Sequence, residues 1–195
     1  RRYLEKLEEP AVFDECTRVI ISQVDEMKHL VDEFSAFAKM PSSMPVPDDL
    51  NAVVKDAVAL YREAHPEVEY LIETDEGLPT IEIDRSQMSR AVGNLLENAT
   101  TAVRECAEDR RQVTIRTTYD ADIHLAVLEI MDSGCGIPAA DKARLFEPYF
   151  STKHGGTGLG LVIVNRIISD HNGFIRVRDN DAGGTIFSIE LPVKG

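Results

Sequence analysis

The chain contains no tryptophan, only three cysteines and no apolar run approaching the ~20 residues of a membrane-spanning helix. Cys16, Cys106 and Cys135 are odd in number and lack metal-ligand spacing. That excludes a disulfide framework and fits reduced thiols in a cytoplasmic setting. Cys135 stands in a glycine-rich turn with no base beside it in the sequence, so no thiol chemistry is assigned to it. Positive charge is scarce as well. Lysine and arginine total 21 against 34 acidic residues, a net charge of -13, whereas a nucleic-acid partner requires a basic surface. Any phosphate bound here must be met by local donors and a metal. No signal-peptide pattern is present, and the sequence opens Arg1-Arg2 without a methionine. A piece of a longer protein is therefore expected, with membrane attachment only through upstream segments.

What is present divides into an appendage and a domain. Hydrophobic residues make up 43% of the 195, enough for one core. Phe13, Ile20, Met27 and Phe34 fall seven apart, and Val24, Val31 and Ala38 follow by four. This predicts the a/d seam of a helix that pairs with other helices. Three prolines in residues 41–47 end it and predict a linker over 42–47. Asp48 is the expected N-cap of a helix running to about Ala64. Strands are expected at 68–74 and 80–83, and as hairpins at 113–119 with 123–131 and 174–178 with 185–191. Helices are expected at 85–106 and 158–171. Paired strands separated by single helices predict an α+β fold, a two-layer sandwich with a mostly antiparallel sheet and helices on one face. A doubly wound dinucleotide fold does not fit this order.

Three motifs carry chemistry. In the helix around residues 88–106, Val92, Leu95, Leu96, Ala99, Val103 and Cys106 form an apolar stripe, while Asn94, Glu97, Asn98, Thr101 and Glu105 form a polar one. Asn94 and Asn98 are four apart and stack on one face. A solvated face is the plain reading, but beside a glycine-rich site paired amide oxygens suit Mg2+. Next, Asp132-Ser133-Gly134-Cys135-Gly136 follows an apolar strand, with Asp132 at its end and two glycines that allow positive φ and close approach of a ligand. Alone it reads as an Asp-Ser-Gly turn. Finally, Gly155-Gly156-Thr157-Gly158-Leu159-Gly160 opens a helix whose first amides, unobstructed by side chains, suit phosphate. Between the last two motifs, Phe146 to Phe150 supply aromatic anchors for a lid, and Lys153 is either a surface charge or a contact to a terminal phosphate.

Together Asn94 to Ala99, Asp132 to Pro138, Phe146 to Phe150, Gly156 to Leu161 and Gly183 to Phe187 resemble the N, G1, F, G2 and G3 boxes of sensor histidine kinases, within the gyrase, Hsp90, histidine kinase and MutL superfamily. The resemblance spans about residues 48–193, with five boxes in order. Residues 31–41 resemble the second dimerisation helix, closest to the NtrY nitrogen-regulation type. The resemblance implies the Bergerat ATP-binding fold at 48–195 and part of a dimerisation hairpin at 1–41. It implies Mg-ATP as ligand and transfer of the γ-phosphoryl to a histidine, for relay to a response regulator receiver domain, in a homodimer formed through helix 10–40. Asp132 would accept from the adenine amino group with Thr185 in support, and Asn98 with Asn94 would hold Mg2+. Gly134, Gly136, Ile137, Phe146, Phe150, Thr157, Gly158, Leu159, Gly160 and Leu161 would surround the nucleotide, and Lys153 would join Asn94 and Asn98 in catalysis.

Two departures narrow that expectation. In hydrolysing branches the position four before the metal asparagine is a glutamate that activates water. Here it is Asn94, and an amide cannot act as general base. Many histidine kinases carry lysine just after the N box, where this chain has Thr100-Thr101, leaving Arg104 or Lys153 to meet phosphate charge. None of His29, His65, His124, His154 and His171 has an acceptor context of acidic residue and Asn/Thr-Pro. The acceptor is expected upstream. The alternatives are a conformational ATPase clamp of the gyrase or Hsp90 kind and a nucleotide-binding interaction module.

Overall fold

The structure is a computed structural model that describes residues 10–38, 42–107, 111–151 and 156–193. Helix α1 (Pro10–Ala38) is 29 residues long, about 43 Å at 1.5 Å per residue. Along its seam Phe13, Ile20, Val24, Met27 and Val31 are all exposed. The side chains of Phe34 and Ala38, also in the heptad, lie outside the described set.

The remaining elements run β1 (Val46–Asp48), α2 (Leu50–Ala64), β2 (Glu69–Glu73), β3 (Ile81–Ile83), α3 (Arg85–Arg104), β4 (Gln112–Asp120), β5 (Leu125–Asp132), α4 (Ala139–Lys142), α5 (Gly160–Asp170), β6 (Phe174–Asp179) and β7 (Thr185–Pro192). Five strands form one sheet in the order β2-β4-β5-β7-β6. Only β2 and β4 are parallel, and the other three pairings are antiparallel. Helices α2, α3 and α5 pack on one face, and the core lies between the layers. The expected two-layer α+β sandwich is what forms.

Two local expectations differ from the structure. The segment expected as linker contains β1, which pairs antiparallel with β3 so that Val46 faces Ile83 and Asp48 faces Ile81. Pro47 is compatible because both strands of a two-stranded ribbon are edges, where proline is tolerated. Likewise the cap of α2 is Asp49, whose Oδ1 accepts from the amides of Asn51 and Ala52 at 2.8 and 3.2 Å. Asp48 instead accepts from the Asp49 amide and pairs with Arg85. The Asp49 amide and then the Arg85 guanidinium hold its carboxyl below the usual range.

Helix α3 is tied to its neighbours through tyrosines. Tyr61 on α2 donates to the Gly93 carbonyl at 2.9 Å, and Tyr70 on β2 meets Thr100 at 2.8 Å. Burial, followed by the negative charge of Glu97, pushes Tyr61 up to about 12. A raised folded-state value stabilises the neutral form, so this contribution is intact below the ordinary tyrosine value of about 10 and is lost as pH climbs towards 12. Absorbance titration should therefore show a tyrosine ionising near pH 12, and Tyr61→Phe should flatten the loss of stability over that window. Full ionisation of every tyrosine near the ordinary value would contradict this.

Candidate nucleotide-binding site

The alternation of β5 builds the floor of the site. Ala126, Leu128, Ile130 and Asp132 point to the same buried face, so the core row ends in a carboxylate. On neighbouring β7, every residue from Thr185 to Ile189 is buried, and Leu191 with them. Met131 pairs with Ile186, which sets Asp132 beside Thr185.

Asp132 Oδ1 accepts from the Gly134 amide at 2.9 Å and from the Thr185 amide at 3.1 Å. The first bond is the Asx-turn foreseen for an Asp-Ser-Gly sequence. The second crosses to β7 and fixes the carboxylate. Asn180 adds a bond from Nδ2 to the Asp132 carbonyl at 2.9 Å. Gly184 (φ +94°) passes so close that a Cβ there would collide with the Asp132 carbonyl oxygen. Gly136 has positive φ as expected. Gly134 does not; it is required because a Cβ would stand 2.8 Å from that of Ala102 on α3. Close approach to a helix thus requires glycine there.

Helix α3 carries the site from this turn to its other end. Asn94 and Asn98 lie half-buried on its polar side, and Asn94 Nδ2 donates to the Gly160 carbonyl at 3.4 Å, a long bond. With the amide nitrogen turned to Gly160, the oxygen is the atom that remains to serve a cation. Among the described residues no cluster of three His, Cys, Asp or Glu side chains could hold a metal. A divalent ion at this end would thus rely on amide oxygens and on the phosphates themselves, which suits Mg2+. From Ala102 to Asn94 is eight residues, about 12 Å along the helix axis. The carboxylate turn and the α5 N-terminus therefore meet α3 at points about 12 Å apart.

Helix α5 begins two residues later than expected. Gly158 has φ +69°, and a Cβ there would come within 2.5 Å of the Tyr149 backbone. Gly160 has open space, its nearest neighbour being Asn94 Cγ at 3.9 Å. Thr157 Oγ1 accepts from the Leu159 amide at 3.3 Å. The Leu159 side chain is buried in the core, whereas Leu161 is partly buried at the core margin. The aromatic segment packs against this start. Phe146, Phe150 and Ile137 sit against the core, and the Arg144 guanidinium lies 4.3 Å from the Phe150 ring centre. Tyr149 holds φ +65°, an uncommon conformation for a bulky residue.

Asp132, Gly134, Gly136 and Thr185 thus gather at one end, Asn94, Thr157, Gly158, Gly160 and Leu161 at the other, and Asn98 lies one helical turn from Asn94, midway along α3. Lys153 lies outside the described residues. Arg104, one of two residues left to meet phosphate charge, is paired with Glu67 at 3.1 Å. Gly184, Asn180 and Ala102 complete the floor but escape sequence reasoning as site residues. Only the Gly183-Gly184 pair directly before Thr185 signals it.

A family model described as histidine kinase-, DNA gyrase B- and HSP90-like ATPase matches residues 83–195. The nitrogen regulation protein NtrY of Azorhizobium caulinodans is 38% identical over 186 residues, covering 94% of this chain and 24% of that protein. The chain thus spans about a quarter of that relative's length. Among solved structures, a mycobacterial sensor histidine kinase, MprB, is 30% identical with TM-score 0.67, covering 77% of this chain and 99% of the other. The histidine kinase ThkA in complex with the response regulator TrrA is 21% identical with TM-score 0.73, over 99% of this chain and 55% of the other, a likeness of fold alone.

The two glycines of the α5 start should respond in opposite directions. Gly158→Ala meets backbone and positive φ together and should cost about 2 kcal/mol or more. Gly160→Ala meets nothing and gains helix propensity, up to about 1 kcal/mol. Thermal unfolding of both variants checks this, and equal destabilisation would contradict it.

Proposed function

The chain belongs to the family of histidine kinase-, DNA gyrase B- and HSP90-like ATPases, and from that premise we propose that it is the ATP-binding catalytic portion of a two-component sensor histidine kinase. The observation that carries the proposal is the placing of two features along α3. A fixed carboxylate lies at one end, and amides and a glycine-rich helix start lie at the other. Asp132 accepts from the adenine amino group, with its Oδ1 anchored by the Gly134 and Thr185 amides. The first amides of α5 meet the phosphates. Asn98, with Asn94, holds Mg2+, which when bound neutralises charge on the phosphates.

Phosphoryl transfer asks the protein mainly for positioning and electrostatic support. A nitrogen of an imidazole outside this chain bonds to the γ-phosphorus as the bond to the ADP oxygen breaks, and the imidazolium so formed gives its other N–H proton to solvent. Asn94 contributes no base for water, so hydrolysis competes poorly. Of the histidines on described elements, His171 is buried and doubly hydrogen-bonded, unsuited to attack. The exposed seam of α1 supports a homodimer in which residues 1–41 belong to the dimerisation hairpin and 48–195 to the catalytic unit. The phosphoryl group then passes to a receiver domain. No helix among the described residues is long and apolar enough to cross a membrane, and we place this portion in the cytoplasm.

Labelled Mg-ATP mixed with the protein tests the reading, with and without a separate piece carrying the upstream helix. Nucleotide binding, slow hydrolysis, no self-labelling and label on the added histidine are expected. Asp132→Ala should weaken nucleotide binding at least about tenfold, and Asn98→Ala should abolish transfer. Rapid phosphate release by the chain alone would favour a conformational ATPase clamp.

A further inference from the structure

We infer that His171 is a positioning residue that holds the segment leading from α1 against the two helices of the nucleotide groove, an inference that rests on the reading above. The observation is a chain of hydrogen bonds at the far end of α5. His171 follows the last residue of that helix and is 4% exposed. Its Nδ1 lies 2.7 Å from the Ile167 carbonyl. A carbonyl only accepts, so Nδ1 carries the proton and Nε2 is an acceptor. The Asp84 amide donates to Nε2 at 2.8 Å.

Asp84 is the N-cap of α3. Its Oδ1 accepts from the Gln87 amide at 3.1 Å, and its Oδ2 from the Met44 amide at 3.2 Å. Ser43 Oγ stands 3.4 Å from Nε2. One imidazole therefore ties the C-terminus of α5 to the N-terminus of α3, and both to residues 43–44. Burial raises the Asp84 carboxyl, but the amides of Gln87, Met44 and Ser86 outweigh it and leave the group below its usual range. The cap is thus a carboxylate able to keep both bonds.

The start of α5 faces the phosphate end beside Asn94, and its 11 residues span about 16 Å. A ligand that shifts the helix start carries His171 with it, because a short packed helix moves as a unit. Through Asp84 that shift reaches Met44 and the segment that follows α1. The consequence is geometric. His171 sets where the nucleotide groove stands relative to α1 and hence to an acceptor on its partner helix. It does not touch the nucleotide.

Two substitutions separate the roles of the ring nitrogens. His171→Asn keeps a donor near the Nδ1 position but cannot reach Asp84, whereas His171→Gln places an amide oxygen near Nε2. Full-length protein carrying each should be assayed for transfer to its own histidine, for KM of Mg-ATP and for hydrogen exchange at the Asp84 amide. His171→Asn should lower kcat about tenfold, the size of one lost hydrogen bond, with KM within about twofold. It should speed Asp84 exchange by a similar factor, and His171→Gln should recover most of both. Equal impairment by both variants, KM rising as kcat falls, or wild-type kcat with accelerated exchange would each overturn the inference. Wild-type protein that binds Mg-ATP yet labels no histidine would overturn the kinase reading instead. The coupling is then read from Asp84 exchange alone, which nucleotide should slow in wild type but not in His171→Asn. No nucleotide response in wild type overturns the coupling.

Discussion

The arrangement depends on one carboxylate oxygen. Asp132 Oδ1 gathers two backbone amides from segments more than fifty residues apart, Gly134 in the turn after β5 and Thr185 at the start of β7. Burying a charged group is costly unless hydrogen bonds replace water. Two amides therefore make it possible for the hydrophobic row of β5 to end in an acid. The same bonds draw the 133–136 turn down onto Ala102 and bring Gly184 against the Asp132 carbonyl. Neither glycine could carry a side chain without breaking the joint.

Helix α3 turns that joint into a site of defined length. It is fastened at Ala102 to the carboxylate turn, at Asn94 to Gly160, and at its cap to His171. Tyr61 and Tyr70 hold its other side. The distance between the ends of the groove is thus set by helix rise, which is stiff, and not by loops. The polar side of α3 is not a freely solvated face, because Asn94 already spans to α5.

Much of this was legible because the deciding residues break local preference. Two mid-helix asparagines cost helix stability and four glycines within six residues leave a helix start without side chains, so positions 94, 98 and 155–160 stood out as candidates. The alternation in β4 and β5 marked the sheet and its buried face in the same way. What stayed hidden are contacts between segments distant in sequence. Pro47 read as linker because ribbon pairing with β3 leaves no local mark. Asp48 and Asp49 are equivalent cap candidates until Arg85 claims the first. The close approach of Gly134 to Ala102 on α3 leaves no local mark either. His171 looked like any isolated histidine, since its partner at Asp84 is 87 positions away.

Asn94 distinguishes what such a groove does from what it binds. A carboxylate there could activate water, whereas the amide of Asn94 holds the Gly160 carbonyl and offers no general base. A crystal structure with Mg2+ and a non-hydrolysable ATP analogue addresses the central claim most directly. The expected result places the adenine amino group against Asp132, the metal against the Asn98 amide oxygen, and the phosphates along the first amides of α5. Nucleotide bound elsewhere, or an adenine that leaves Asp132 untouched, would contradict it.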